Sequence, residues 1–421
     1  MTSSGYHHRV IDTVLDRFLE ELPAVLLDGP KGVGKTTTAL RRAETVRRLD
    51  RTEDRFLAEG DEEWAVHGQR PILLDEWHRV PAVWDAVKRA VDDDRSGGQF
   101  LLTGSLPTTS THSGAGRITA VRMRPMTLSE RGVTTPSVSL RALADGNHDV
   151  TGDTRCGIRD YVDEIFRSGF PGLRDLSDDT RRAALQGYVQ RIIDSDLPDL
   201  GMPRRKPASL LAWLAAYAAA TATTARWETI RQAATPGSFD PPTKITVMGY
   251  RDALTRLRIL DELPAWLPQG NTFTRLAQSP KHYLADPALA TPLLDLTPGD
   301  VLGDTNVKSD PAYDPLVGRL FEALAVLSVR VYAEGMGASV SHFRDAEGRR
   351  EVDLIVQLTN GAILPIEIKM GNTVTPADTK HLTWLRDTIP DKVVDTMVLY
   401  GGRRAFRQDG IAIVPLALLG P

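Results

Sequence analysis

Gly29, Pro30, Lys31, Gly32, Val33, Gly34, Lys35 and Thr36 fit the spacing G-x-x-x-x-G-K-[ST] in full. The chemistry that needs this spacing is phosphate binding. Glycines let backbone N–H groups wrap the phosphates, a lysine reaches the terminal ones, and a hydroxyl ligates Mg2+. Lys35 and Thr36 take the last two roles, and Thr37 directly after them joins the nucleotide-contacting set. The plain alternative is a chance glycine-rich loop. Against it, the apolar stretch AVLL from Ala24, the full motif and a helical stretch follow one another in the right order, and the start of that helix adds a positive end. The expected ligand is ATP with Mg2+.

Forty residues after Lys35, an apolar strand, ILLD, ends in Asp75 and Glu76. Asp75 fits the outer-sphere carboxylate of such a Mg2+ site, and Glu76 stands where a water-activating base belongs. An acidic strand-to-helix junction would read the same way, since acids favour helix starts. A third buried strand, QFLLTGSLP, ends in Thr103 and Ser105. Polar groups at the ends of parallel strands face the ligand crevice, which makes Thr103 a candidate γ-phosphate sensor or simply part of a turn. Arg117, in the loop SGAGRI, is a candidate arginine finger in cis or in trans, or a solvated loop charge.

A second set of chemistry-bearing residues lies near the carboxy terminus, in EVDLIVQLTNGAILPIEIKM from Glu351. Two alternating runs flank Thr359, Asn360 and Gly361, so a β-hairpin is expected. A three-residue loop with Gly361 in the left-handed region would pair Leu364 with Val356 and Ile366 with Leu354. It would also put Val352, Leu354, Val356, Leu358, Leu364, Ile366, Ile368 and Met370 on one apolar face. Asp353 then faces Glu367, with Lys369 one pleat along. Two carboxylates ~5 Å apart at an effective dielectric of about 20 repel by roughly 3 kcal/mol. Something positive is expected between them. Mg2+ or Mn2+ is one answer; a shared proton, or a salt bridge from Lys369 to Glu351, is another. Upstream, Asp314 and Pro315 are expected to cap the helix PLVGRLFEALAVLSVRV, which is apolar nearly all round. Its buried Glu322 needs a partner, either Arg319 three residues earlier or a cluster with Asp353 and Glu367.

Together GPKGVGKTT, ILLDEW, LLTGS and GRITAVRMRPMTLSE, with the later SGFPGL, GYVQRIIDSDL and KHYLADPALA, resemble bacterial AAA-type ATPases that carry a carboxy-terminal domain of unknown function. The resemblance covers most of the chain. It implies an ATPase core, a winged-helix-like middle and a nuclease-like end. The order α-β-β-β-α-β, carrying Glu322, then Asp353, then Glu367-x-Lys369, is similar to the restriction-endonuclease-like PD-(D/E)xK fold. That likeness implies Asp353 and Glu367 as metal ligands, Glu322 as an auxiliary ligand and Lys369 as the group that orients water. Val352 stands where the motif has proline. The implied activity is an ATPase joined to a Mg2+-dependent nuclease-like domain acting on DNA or RNA, with DNA favoured. The alternative is a nucleotide-gated DNA-binding regulator, or a toxin–antitoxin or defence component, without cleavage. A protein partner and an oligomer are compatible with either reading.

The elements that must position these groups imply an α/β multidomain chain. Its length of 421 residues exceeds one ordinary core. The expected segments are a P-loop ATPase domain with a parallel sheet over 1–150, a helical lid or connector over 151–204, a winged-helix-like domain over 205–295 and a nuclease-like domain over 296–421. The boundary near 150 rests on the Gly-, Thr- and Asp-rich stretch 135–160. In the middle, Thr243 is expected to cap a helix with Val247, Tyr250, Leu254 and Leu257 inward, and Lys244, Arg251 and Arg256 are candidate DNA contacts. Charged residues are 25%, hydrophobic ones 41% and net charge is −4, so no global basicity advertises nucleic acid. A single cysteine, Cys156, excludes an internal disulfide and fits a reducing cytosol, so a cytoplasmic location is expected. From Pro207 to Ala225 there are 19 uncharged residues. Ala and Thr dominate them, so a packed helix rather than a membrane span is expected.

Overall fold

A computed structural model describes residues 5–104, 114–202, 207–235, 241–267, 279–302, 315–345 and 347–421. Ser105 and Asp314 lie outside the described residues. The chain divides into two compact units. The first takes Met1–Arg124, Phe170–Gly172 and Ala253–Ile259; the second takes Pro125–Gly169, Leu173–Asp252 and Leu260–Pro421.

The first unit is built on five strands: β1 (Ala24–Asp28), β2 (Thr45–Arg48), β3 (Ile72–Asp75), β4 (Phe100–Gly104) and β5 (Ile118–Arg122). They lie in the order β2-β3-β4-β1-β5, and every pair is parallel. The inner strands are apolar along nearly their whole length, as expected of strands covered on both faces. Helix Ala82–Asp93 buries Val83, Ala86, Val87 and Val91 against this sheet. Trp84 from the same helix stacks on Trp77, with ring centroids 4.5 Å apart. Parallel strands end on one edge, so Asp28, Asp75 and Thr103 gather there.

The second unit starts earlier than the sequence suggests. The stretch 135–160 is not a linker. It supplies β6 (Val138–Ser139), helix Leu140–Ala144 and β7 (Gly152–Asp153). Short strands without alternation leave little trace in a sequence, and backbone pairing with distant partners holds these two. Two helices, Pro207–Ala219 and Trp227–Ala233, come next. Trp213, Tyr217 and Trp227 stack between them at centroid separations of 5.5–6.3 Å. The uncharged stretch is therefore a packed core helix. Among the described residues no helix is long and apolar enough to cross a membrane. Helix Lys244–Arg256 opens where expected, with the Thr246 N–H donating to Thr243 Oγ1 at 3.3 Å. Antiparallel bridges then join Leu260 to Leu284 and Leu263 to Lys281.

Helix Pro315–Gly335 buries twelve side chains and runs longer than expected, because its stop is Gly337. That glycine adopts φ +77°, and the Ala338 N–H returns to the Ala333 carbonyl at 2.9 Å. The expected helix PLVGRLFEALAVLSVRV ends at Val331, and the chain continues it to Gly335 before the cap. The following strands are β8 (Ser339–Arg344), β9 (Glu351–Gln357), β10 (Ile363–Lys369), β11 (Met397–Tyr400), β12 (Arg404–Gln408), β13 (Ile411–Pro415) and β14 (Leu419–Gly420). Helix Pro376–Thr388 connects β10 to β11. The large sheet has the order β7-β12-β13-β11-β10-β9-β8, and β14 pairs with β6. Leu364 pairs with Val356 and Ile366 with Leu354, in the register expected from Gly361, whose φ is +85°. Ile355 and Ile363 are as buried as Leu354 and Leu364, so both hairpin faces are covered, not one.

Candidate functional site

Two polar constellations stand out, one in each unit. In the first, the loop after β1 places Gly32 at φ +77° and Gly34 at φ +106°, backbone conformations that favour glycine. A Cβ at Gly29 would meet the Met123 carbonyl oxygen at 2.2 Å, so only glycine fits that wall of the loop. Lys35 is buried, and its Nζ donates to the carbonyl oxygens of Gly29 and Pro30 at 2.7 and 2.9 Å. Burial depresses this ammonium to about 8, against the pull of Glu76, Asp28 and Asp75. An arriving polyphosphate would raise it again.

Asp75 takes hydrogen bonds on one oxygen from two hydroxyls. Thr36 Oγ1 donates to Asp75 Oδ1 at 2.7 Å, and Thr103 Oγ1 donates to the same atom. The register that pairs Asp75 with Thr103 across β3 and β4 makes this possible. Glu76 is held at φ +57°, and its Oε2 lies 3.5 Å from His78 Nδ1. Burial pushes its carboxyl above the usual range. The structure brings Lys35, Thr36, Asp75, Glu76 and Thr103 to one strand-end cluster beside the loop. Thr37 is exposed on the same turn. Arg117 is elsewhere: its Nε donates to Asp92 Oδ1 at 2.8 Å at the surface. One cation here escapes a sequence reading. Arg258, at φ +61°, donates from Nε to Asp28 Oδ2 at 2.7 Å, immediately before Gly29.

These groups fit ATP and Mg2+. The cradle excludes a Cβ, a buried amine is satisfied only by carbonyls it can exchange for phosphate, and Thr36 with Asp75 offers the hydroxyl and carboxylate of a metal site.

In the second unit Glu322, Asp353, Glu367 and Lys369 line one cavity of about 670 Å3, with Lys281, Arg319, Arg344 and Glu351 in the same wall. The expected convergence is present, but the cation at its centre is Lys281. Its Nζ lies 3.0 Å from Glu322 Oε1, 3.0 Å from Glu351 Oε1 and 2.9 Å from Asp353 Oδ1. The Tyr283 hydroxyl donates to Glu322 Oε1 at 2.6 Å, and the Ile368 N–H donates to Asp353 Oδ2 at 2.9 Å. Lys369 pairs with Glu367 Oε1 at 2.7 Å, not with Glu351, and Arg319 reaches the Ala219 carbonyl, not Glu322. Glu367 Oε2 is buried without a hydrogen-bond partner.

The electrostatics follow. Burial opposes the Lys281 charge, yet Asp353 and Glu322 hold it well above the ordinary lysine range. Burial and the neighbouring Asp353 push Glu322 and Glu367 up. Asp353, although buried, is held down by Lys281 and Lys369. Among the described residues no group of three or more His, Cys, Asp or Glu side chains is arranged to hold a metal ion. The donor set does not fit the divalent ion expected on Glu322, Asp353 and Glu367, because an ammonium already fills the place. Neither Lys281 nor Tyr283 shows this role in the sequence. They lie in KHYLADPALA, a stretch that enters the sequence reading through the family resemblance and carries no expected carboxylate partner.

In the middle, Arg251 is committed to Glu262 at 3.0 Å and lies over the Trp227 ring, so it is not a spare DNA contact.

Residues 21–131 match the family model of the AAA domain, residues 158–300 that of a domain of unknown function (DUF8612) and residues 317–419 that of a domain of unknown function (DUF4143). Two curated relatives, uncharacterized proteins of Mycobacterium bovis and Mycobacterium tuberculosis, are each 25% identical over 420 residues, 95% of this chain and 82% of theirs. Among solved structures, a Walker-type ATPase of Pyrococcus abyssi is 17% identical, with 67% of this chain and 94% of that one covered and a TM-score of 0.38. With the loop geometry, the match over residues 21–131 identifies the amino-terminal part of the chain as an AAA-type ATPase-like domain.

Proposed function

We propose that the chain binds and hydrolyses ATP at the loop Gly29–Thr36. The observation that carries this is the shared hydrogen bonding of Thr36 and Thr103 on Asp75 beside a loop with no room for a Cβ at Gly29. The loop N–H groups and Lys35 bind the phosphates, and Lys35 exchanges the Gly29 and Pro30 carbonyls for phosphate oxygens. Thr36 and Asp75 would hold Mg2+, which neutralises charge on the terminal phosphates. Glu76 accepts a proton from the attacking water. The bond from the γ-phosphorus to its bridging oxygen breaks as the bond to the water oxygen forms, giving ADP and inorganic phosphate. Thr103 positions that water or the γ-phosphate. Phosphate release by Lys35→Ala and Glu76→Gln tests this; rates equal to wild type in both would overturn it.

A second reading concerns the rest of the chain. Three helices and the bridged segments after them support a winged-helix-like middle. The order α-β-β-β-α-β supports a restriction-endonuclease-like end. Arg319 and Arg344 in the cavity wall, beside the Lys369–Glu367 pair, favour a module that receives a nucleic-acid backbone under nucleotide control without cutting it. Salt-dependent DNA binding that survives Asp353→Ala, with no cleavage in Mg2+ or Mn2+, supports this reading. Cleavage lost in Lys369→Ala would restore the nuclease.

A further inference from the structure

Lys281 is the feature that no motif assigns. Its backbone is fixed by a two-way bridge, with the Lys281 N–H donating to the Leu263 carbonyl at 3.0 Å and the Leu263 N–H to the Lys281 carbonyl at 2.9 Å. The neighbouring His282 N–H donates to the Thr223 carbonyl at 3.0 Å. The side chain is therefore delivered from an anchored, bridged segment, and it is 2% exposed. It lies 2.9–3.0 Å from three carboxylate oxygens, one each from Glu322, Glu351 and Asp353. It donates hydrogen bonds to Glu322 Oε1 and Asp353 Oδ1, and the Glu351 carboxylate completes the ion-paired set.

We infer that Lys281 is the resident cation of this carboxylate cluster, taking the place of a divalent ion, and that it makes the carboxy-terminal domain independent of metal. The acids on the helix Pro315–Gly335 and on β9 converge on a charge carried by the chain itself. A divalent ion would have to displace an ammonium whose backbone cannot retreat, and the like charges would repel at contact distance. Glu367 Oε2, buried without a hydrogen-bond partner, marks where a ligand to such an ion would point, while Lys369 holds the other oxygen of that carboxylate. Substituting Lys281 by an uncharged side chain of similar length leaves the carboxylates facing a vacated centre, the arrangement a hard cation selects.

The test uses full-length protein without nucleotide in a Lys35→Ala background, which removes the phosphate-loop contribution. Mn2+ binding is followed by the paramagnetic resonance signal of the free ion. The expected result is no saturable binding in Lys35→Ala and one gained Mn2+ per chain in Lys35→Ala/Lys281→Met, with an upward shift in melting temperature on adding Mn2+ to the double variant alone. Saturable binding already present in Lys35→Ala, and removed by Asp353→Asn or Glu322→Gln, would overturn the inference. So would a folded double variant that gains no ion. A double variant that folds only when Mn2+ is supplied would support it.

Discussion

The phosphate loop and the carboxylate cluster hold their buried lysines in opposite ways. Lys35 donates to two carbonyls of its own loop, neutral acceptors it can leave. Lys281 donates to Glu322 and Asp353 and pairs with Glu351 as well, three carboxylates from two other elements. Burial lowers the first ammonium to about 8, whereas the second is held well above the ordinary range. The lesson is about readiness. A site built for an anion leaves its cation hydrogen-bonded to neutral acceptors, while a cation in contact with carboxylates is committed to structure. The same residue type, equally buried, is a binding group in one unit and a counter-ion in the other.

The largest effect that would break this contrast is expected at Glu76. Glu76→Gln should lower steady-state phosphate release by roughly 10²–10⁴-fold while calorimetric ATP affinity is kept. Loss of affinity alone would make Glu76 a binding group. Next, Lys281→Met should destabilise the protein by about 3–5 kcal/mol in denaturant unfolding, because it strands buried carboxylates. A change within experimental error would show that the cluster does not depend on the ammonium.

The pH dependence of stability sharpens the comparison. His342, buried near Lys281, is depressed to about 4, by burial first and then by that ammonium. Its folded pKa lies below the unfolded value of 6.5, so its contribution is present above pH ~6.5 and is lost as pH falls toward about 4. The window corresponds to at most ~3 kcal/mol. Urea unfolding of His342→Gln should show a flatter profile across it than wild type. Smaller still, Thr103→Val should slow hydrolysis about 10-fold, the scale of one hydrogen bond. Arg117→Ala should leave the rate unchanged, because Asp92 already holds that side chain; a fall would mark it as an arginine finger.

Local devices were legible in the sequence. Gly361 sets the hairpin register, and Thr243 opens its helix, because each acts within a few residues. The P-loop cluster was legible because its motif states its own spacing and because parallel strands bring Asp75 and Thr103 to the same edge. Lys281 was not legible. Its partners Glu322 and Asp353 lie 41 and 72 residues away, and its own stretch has no feature that asks for a carboxylate. Arg319 looked like the partner of Glu322 on helical spacing, but Lys281 and Tyr283 outcompete it from another element. The stretch 135–160 misled for a related reason, since strands of two residues exist only through partners far along the chain.

The two hydroxyls on Asp75 carry one last implication. Thr36 and Thr103 draw on a single oxygen of one carboxylate, so neither contact is independent of the other. Loss of one hydroxyl frees that oxygen to strengthen its bond with the survivor, and the penalties for Thr36→Val and Thr103→Val should overlap instead of summing. Motif residue and strand-end residue would then behave thermodynamically as one unit, joined through an acceptor that neither can monopolise.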